Sequence, residues 1–274
     1  MIAISSSPTF FDAVSIAPAT ADEAYSLLQT ALDRFLSLVE ALGPDDWGKP
    51  TACTAWNVRD ILAHQAGGYA SGTGYIELIR QTSHLPKSGQ LIEDAINEFQ
   101  LRQRAGKSPA ELIAELRRVG PVAAQKWAYG FRPLKLFAIP HPVAGKLPLR
   151  HLMWVTHSRD TWMHRLDICR ATGRAFEQTR EHDGRIAELV MLDVADVLAR
   201  KHHGPALIFE LTGVAGGVWK IGQGEPAATI RMDVLDFNIF ASGRYTYEQA
   251  RPLATITGDV AKAEESLKKI LIVY

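Results

Sequence analysis

The chain has 274 residues, of which 47% are hydrophobic and 22% charged, so it can bury a large core and is too apolar for a disordered protein. Its 30 Lys and Arg balance its 30 Asp and Glu, which argues against nucleic-acid binding and against an electrostatic membrane anchor. The sequence has neither the apolar run of roughly 18 residues that a membrane span needs nor a basic secretory signal before Arg34. We therefore expect a cytoplasmic protein.

Residues 1–178 predict a leader followed by long helices. Residues 1–20, rich in Ser, Ala and Pro, predict a flexible leader. Thr20 and Glu23 form the pattern of a capping box at the start of the first helix. Helices are predicted at about 22–42, 56–81, 91–104, from Ser108 onward with a kink at Gly120–Pro121, and at 149–171. Prolines predict a loop over 131–148, and residues 21–178 as a whole predict a four-helix bundle.

Residues 179–274 have a different pattern, with short apolar runs separated by glycine-rich turns. Strands are predicted at about 206–212, 218–221, 228–232 and 253–257. Helices are predicted at about 183–201, 234–241 and 260–271. The predicted fold class is therefore a helical bundle followed by a small α+β domain.

Three side chains of the predicted bundle are candidate metal ligands. His64 lies on the second helix, while Asp160 and His164 lie on the last one at positions i and i+4, which share a face. Two imidazoles and one carboxylate leave coordination positions open, as in catalytic sites. Zinc suits this set best, ferrous iron also uses it, and nickel and manganese stay open. The competing interpretation is a weak ion pair on an exposed helix face.

Other polar residues near these positions have two interpretations each. His157, three residues before Asp160, is a further ligand or an acid–base group, or else a histidine at the rim of a pocket. Asp167 is a carboxylate that orients His164, or else the partner of Arg170 on the surface. Cys53 fits a small buried residue better than a nucleophile.

Two segments resemble the mycothiol-dependent maleylpyruvate isomerase family. Residues 51–64 match its pattern Thr-x-Cys-x-x-Trp-x-Val-x-Asp followed by Leu-Ala-His, and residues 159–168 are similar to its Glu-x-x-x-His-x-x-Asp-Leu segment. The resemblance implies a DinB-like bundle whose metal ligands carry over to His64, Asp160 and His164. The departure is Asp160, which stands where the family usually has Glu and has a shorter reach.

The C-terminal region resembles the second, sterol-carrier-like domain of the same family through residues 240–244 and 256–259. The resemblance implies an enzyme that uses a divalent metal and mycothiol, or a similar thiol, to isomerise or S-conjugate an electrophilic small molecule. In that interpretation Arg244 binds a substrate carboxylate, since a guanidinium suits bidentate recognition, and the alternative is an ordinary ion pair.

Two further functions stay open at this point. In one, metal-bound water is the nucleophile of a hydrolase or lyase. In the other, the chain is a binding protein for an apolar small molecule, without catalysis.

Overall fold

The computed structural model describes residues 10–84, 90–201 and 204–274. Its α-helices are α1 (Ala21–Glu40), α2 (Val58–Ser71), α3 (Tyr75–Thr82), α4 (Ile92–Gln103), α5 (Pro109–Tyr129), α6 (Leu149–His151), α7 (His157–Thr172), α8 (Arg185–Lys201), α9 (Val234–Ala241), α10 (Tyr247–Ala250) and α11 (Val260–Leu267). Its strands are β1 (Phe11–Asp12), β2 (Ala138–His141), β3 (Gly145–Pro148), β4 (Ala206–Thr212), β5 (Gly217–Ile221), β6 (Pro226–Asp233) and β7 (Thr255–Gly258).

The chain divides into two compact units. The helical unit contains residues 19–141, 145–177 and 274, and the sheet unit contains the described parts of residues 10–18, 142–144 and 178–273. Of the predicted leader, residues 1–9 lie outside the described part of the chain, whereas β1 pairs with β5 in the sheet unit. None of the described helices combines the length and apolarity that crossing a bilayer would require.

The core of the helical unit lies among α1, α2, α5 and α7, which pack on one another. Helix α1 begins with the expected capping box between Thr20 and Glu23 and buries Leu28, Leu32 and Phe35. Helix α5 approaches it closely at Gly120, where a Cβ atom would lie only 2.5 Å from Leu32 Cδ2. The predicted bundle of long helices is confirmed.

Two local predictions were wrong. The helix expected over 56–81 is two helices, because the chain leaves the helical conformation at Gly74, which is extended with a φ of 167°. Helix α5 continues through Pro121 to Tyr129, in agreement with a prediction that placed a kink and not an end at Gly120–Pro121, and residues on both sides of the proline are buried in the core. The loop expected over 131–148 contains the antiparallel hairpin β2–β3.

A π-helical turn at Leu152–Thr156 joins α6 to α7, and α7 ends at Gly173 in the left-handed conformation with φ 71°. Helix α7 is rich in polar residues, yet nearly all its side chains between residues 158 and 169 are buried. Polar side chains inside a bundle need partners there. This helix therefore carries a polar site in the interior of the unit.

The sheet unit contains a five-stranded sheet in the order β1-β5-β4-β6-β7. Strand β4 runs antiparallel to β5 and parallel to β6, while β6 runs antiparallel to β7. The last helix, α11, ends at Leu267 rather than at the predicted 271. The predicted fold class, a helical bundle followed by a small α+β region, is confirmed.

Candidate metal centre

The three candidate ligands come from two helices of the bundle. Helix α2 begins at Asn57, whose side chain forms a capping box with Asp60, and this start directs the following turns into the core. His64 lies two turns later and is 8% exposed. Asp160 and His164 lie one turn apart on α7. The long-range packing of α2 on α7 brings these side chains together.

Their polar atoms converge on one point. His64 Nε2 lies 3.3 Å from Asp160 Oδ2, and His164 Nε2 lies 3.2 Å from Asp160 Oδ1. One nitrogen or oxygen from each of the three residues lies within 4.8 Å of the others. Ligands at zinc distances of about 2.0–2.1 Å in a tetrahedron are about 3.3–3.4 Å apart. The donor types and the spacings both fit a divalent transition metal.

Two features make the centre accessible on one side. The side chain of Asp160 is 24% exposed, whereas the His164 side chain is 3% exposed. The indole of Trp56 covers another side, with its ring centre 4.8 Å from that of His64 and 5.7 Å from that of His164. A small molecule would therefore reach the centre past the carboxylate and beside the indole.

The side chains of the centre polarise one another strongly. Burial by itself would raise the pKa of Asp160, but the two facing imidazoles hold that pKa well below its usual range. Burial would lower the pKa of His164, yet the carboxylates of Asp160 and Asp167 hold it well above the usual range. A cation is thus favoured at this position, either as a proton on His164 or as a metal that replaces it.

The far ring nitrogens of the two histidines also have partners. His164 Nδ1 lies 3.1 Å from Asp167 Oδ2, and a carboxylate only accepts hydrogen bonds, so Nδ1 carries the proton. This contact favours the interpretation of Asp167 as the residue that orients His164. His64 Nδ1 lies 2.9 Å from Gln100 Oε1. Both histidines consequently direct Nε2 toward Asp160.

Asp160 is oriented by a second group of buried side chains that sequence reasoning missed. Gln65 Nε2 donates to Asp160 Oδ2 at 2.6 Å. Gln65 Oε1 accepts from Thr161 Oγ1 at 2.8 Å. The hydroxyl of Tyr69 lies 3.1 Å from Thr161 Oγ1. Gln65 comes directly after His64, the last residue of the first motif, and this position is the one sequence signal that could have identified it.

Cys53 lies closer to the centre than expected. It is half-buried, and its Sγ lies 3.6 Å from Asp167 Oδ2. Together with His164 and Asp167 it forms a second group whose polar atoms lie within 4.8 Å of one another. The expected small buried residue is thus only half-buried, because the loop before α2 places this thiol against α7, and the preference for this interpretation over a nucleophile stays a prediction.

Two other candidates lie outside the triad. The ring of His157 stacks on Trp127 with centres 3.7 Å apart and planes 10° apart, and burial lowers its pKa to about 4. His157 is therefore neutral at physiological pH. Arg244 belongs to the sheet unit, where it follows Gly243, which has a φ of 79°, and its backbone N–H donates to Ile239 O. The roles predicted for both residues stay predictions.

Comparison with known proteins gives two results. The family model described as mycothiol maleylpyruvate isomerase N-terminal domain matches residues 28–169. This match contains both motifs and all three candidate ligands. No curated protein sequence matches the chain.

Two solved structures share the fold. A crystal structure of the mycothiol-dependent maleylpyruvate isomerase is 14% identical, covers 88% of this chain and 95% of its own, and gives a TM-score of 0.56. A structure of a histidine-to-alanine mutant of that enzyme is 13% identical, with the same coverage and the same TM-score. The family match confirms the resemblance seen in the sequence and the expectation of an enzyme: the chain belongs to the mycothiol maleylpyruvate isomerase N-terminal domain family.

Proposed function

We propose that the chain is a cytoplasmic enzyme that uses a divalent metal, with zinc the best fit, and mycothiol or a similar thiol to isomerise or S-conjugate an electrophilic small molecule. His64, Asp160 and His164 would hold the metal. The observation that carries the proposal is the convergence of two Nε2 atoms on the oxygens of one carboxylate at 3.2 and 3.3 Å. The family match supports the use of a thiol.

The donor set suits thiol chemistry. A divalent metal bound at these three residues would lower the pKa of a coordinated thiol, so that thiolate would be available at neutral pH. Asp160 carries one negative charge and the two neutral imidazoles carry none, which leaves a net positive centre that favours a thiolate. The partial exposure of Asp160 provides the side from which a thiol enters.

Other residues of the chain would bind and position the reactants. Trp56 forms an apolar wall beside both imidazoles and excludes water from that side. His157, neutral and fixed by its stack on Trp127, would offer a hydrogen bond to a reactant without adding charge. Arg244 would bind a carboxylate of the electrophile. The last two roles rest on residue chemistry and on the resemblance.

The direct test combines metal analysis with turnover. We expect close to one zinc per purified chain, little zinc in a His164→Ala variant, and full zinc in an Asp22→Asn variant, which changes an exposed carboxylate on α1 that accepts from Tyr129. Maleylpyruvate is the first electrophile to assay, with and without mycothiol. Turnover that requires both metal and thiol would support the proposal.

Two outcomes would contradict it. Unchanged zinc content in His164→Ala would show that the metal is held elsewhere. Metal-dependent turnover that does not need a thiol would instead indicate a hydrolase or lyase that activates water.

A further inference from the structure

Two buried glutamines connect His64 to the surface of the helical unit. Gln100, on α4, is 3% exposed, and Gln81, on α3, is fully buried. Gln100 Oε1 lies 2.9 Å from His64 Nδ1, and Gln100 Nε2 donates to Gln81 Oε1 at 2.8 Å. Gln81 Nε2 in turn donates to Gly67 O at 2.9 Å and to Glu77 Oε1 at 2.8 Å. Neither glutamine belongs to the two sequence motifs.

The donor and the acceptor of each hydrogen bond in this row of side chains are fixed by the two groups at its outer end, the carbonyl of Gly67 and the carboxylate of Glu77. A backbone carbonyl and an ionised carboxylate only accept hydrogen bonds, so the NH2 group of Gln81 must face Gly67 and Glu77. Arg80 holds Glu77 ionised by donating from Nε and Nη2 at 2.7 Å, and these hydrogen bonds lower the pKa of Glu77. The oxygen of Gln81 therefore faces Gln100 and must receive its NH2 group.

The orientation of Gln100 fixes the position of the proton on His64. Once the NH2 group of Gln100 is committed to Gln81, only its oxygen is left for the imidazole, and an oxygen needs a donor. His64 Nδ1 must then carry the proton, and its Nε2 is left to face Asp160. We infer that Gln100, oriented by Gln81, is a positioning residue that holds the proton on His64 Nδ1 and so presents Nε2 as the metal ligand. The hydrogen bonds that fix the proton do not depend on a metal, whereas the effect on metal binding rests on the proposed metal centre.

The competition that Gln100 prevents is visible in the site. Asp160 Oδ2 also lies near the ring, 3.3 Å from His64 Nε2, but the contact of Nδ1 with Gln100 Oε1 is shorter at 2.9 Å. Without Gln100, the favoured neutral tautomer would put the proton on Nε2, where it donates to Asp160. That proton would occupy the lone pair a metal needs, and metal binding would first have to displace it.

Packing fixes Gln100 at the required distance. A Cβ atom at Gly67 would lie 2.7 Å from both Cβ and Cγ of Gln100, so the absence of a side chain at Gly67 lets α4 approach α2 one turn after His64. The buried Arg104 holds the end of α4 through Gln100 O at 3.3 Å and through Glu115 at 2.6 Å. These contacts therefore hold Gln100 in a fixed position beside His64.

The tautomer can be measured without any metal. Histidine-optimised ¹H–¹⁵N NMR of the metal-free full chain at pH 8 should show His64 protonated at Nδ1, with the signal assigned by its loss in a His64→Asn variant. In Gln100→Met, which keeps the side-chain length but removes the acceptor, we expect the proton on Nε2. A wild-type His64 that is unprotonated at Nδ1 at this pH would overturn the inference.

Zinc affinity supplies the second readout, by competition with a chromophoric chelator and Zn²⁺ as the only added ligand. Loss of the hydrogen-bond partner of a metal-binding histidine typically weakens metal affinity by about 10–100-fold, and we expect a loss of this size for Gln100→Met. Gln100→Glu keeps an acceptor for Nδ1, although it loses the donor to Gln81, and should therefore lose less affinity than Gln100→Met. Equal affinities for wild type and Gln100→Met, with equal thermal stability, would refute the role.

Gln81→Met keeps the test decisive if Gln100→Met does not fold. Gln81 contacts none of the proposed ligands, and its replacement frees Gln100 to turn its NH2 group toward His64. We expect a mixture of His64 tautomers and a zinc affinity between those of wild type and Gln100→Met. An unchanged tautomer and affinity would contradict the inference. If wild-type protein binds no zinc, the proposed metal centre fails, while the tautomer measurement still decides the role of Gln100.

Discussion

Replacing the shared carboxylate is the sharpest perturbation of the centre. Asp160→Asn keeps the shape of the side chain but removes its charge and turns one oxygen into a donor. Gln65 Nε2 already donates to Oδ2 at 2.6 Å, so the asparagine oxygen is expected there and its NH2 group toward His164. His164 Nε2 would then accept from the amide at the position where a metal should bind.

The size of the effect follows from binding linkage. Zinc at 100 times its Kd stabilises the folded state by about 2.7 kcal/mol. The helical unit has about 160 residues, and at about 2.1 cal/mol/K per residue its unfolding entropy is about 0.34 kcal/mol/K. Zinc should therefore raise its Tm by about 8 °C. An affinity loss of about 100-fold leaves zinc near its Kd, where stabilisation is about 0.4 kcal/mol and the shift about 1 °C.

Differential scanning calorimetry with and without zinc measures this shift, at a zinc concentration set from the wild-type Kd. Asp22→Asn makes the same chemical change on the exposed face of α1 and should keep the shift of about 8 °C. A shift in Asp160→Asn equal to that of wild type would refute the assignment of Asp160 as a ligand, provided that both proteins have similar Tm values without zinc.

Three further predictions address other parts of the chain. The pKa of His157 is lowered to about 4, so between pH 6.5 and 4 the unfolded chain binds a proton that the folded chain does not, and the free energy of unfolding should fall as pH drops through this window. His157→Phe, which keeps an aromatic ring, should remove that component from urea-denaturation curves measured at each pH. Gly120→Ala should lower the free energy of unfolding by about 1–3 kcal/mol, because its Cβ would meet Leu32 at 2.5 Å, whereas Gly68→Ala, with open space around it, should not destabilise. Arg244→Gln should raise KM for a carboxylate-bearing electrophile without changing zinc content, and an unchanged KM would remove Arg244 from the substrate site.

Much of the candidate site was open to prediction because it depends on local chemistry. The capping boxes at Thr20 and Ser108 form as their residue types require, since each satisfies backbone N–H groups of its own helix. Asp160 and His164 share a face of α7 by helical spacing alone. His64 was a candidate from its place on another predicted helix of the bundle, the family resemblance implied the same residue, and the packing of α2 on α7 agrees with it.

Other features could not be predicted, because they depend on contacts between residues far apart in sequence. Gly72 approaches Trp127 of α5 so closely that a Cβ would lie 2.6 Å from its ring, and no pattern within residues 56–81 contains that neighbour.

The sequence by itself determined which side chains can bind a metal, since ligand chemistry belongs to the residue and helical spacing to the local backbone. Only the tertiary structure decided which nitrogen of His64 is presented. That choice depends on two amides from α3 and α4 whose hydrogen bonds are directed by a carbonyl and a carboxylate at the far end. Such directionality exists only once three helices have packed together, because the hydrogen bonds between Gln81 and Gly67, between Gln100 and Gln81 and between His64 and Gln100 each join two different helices.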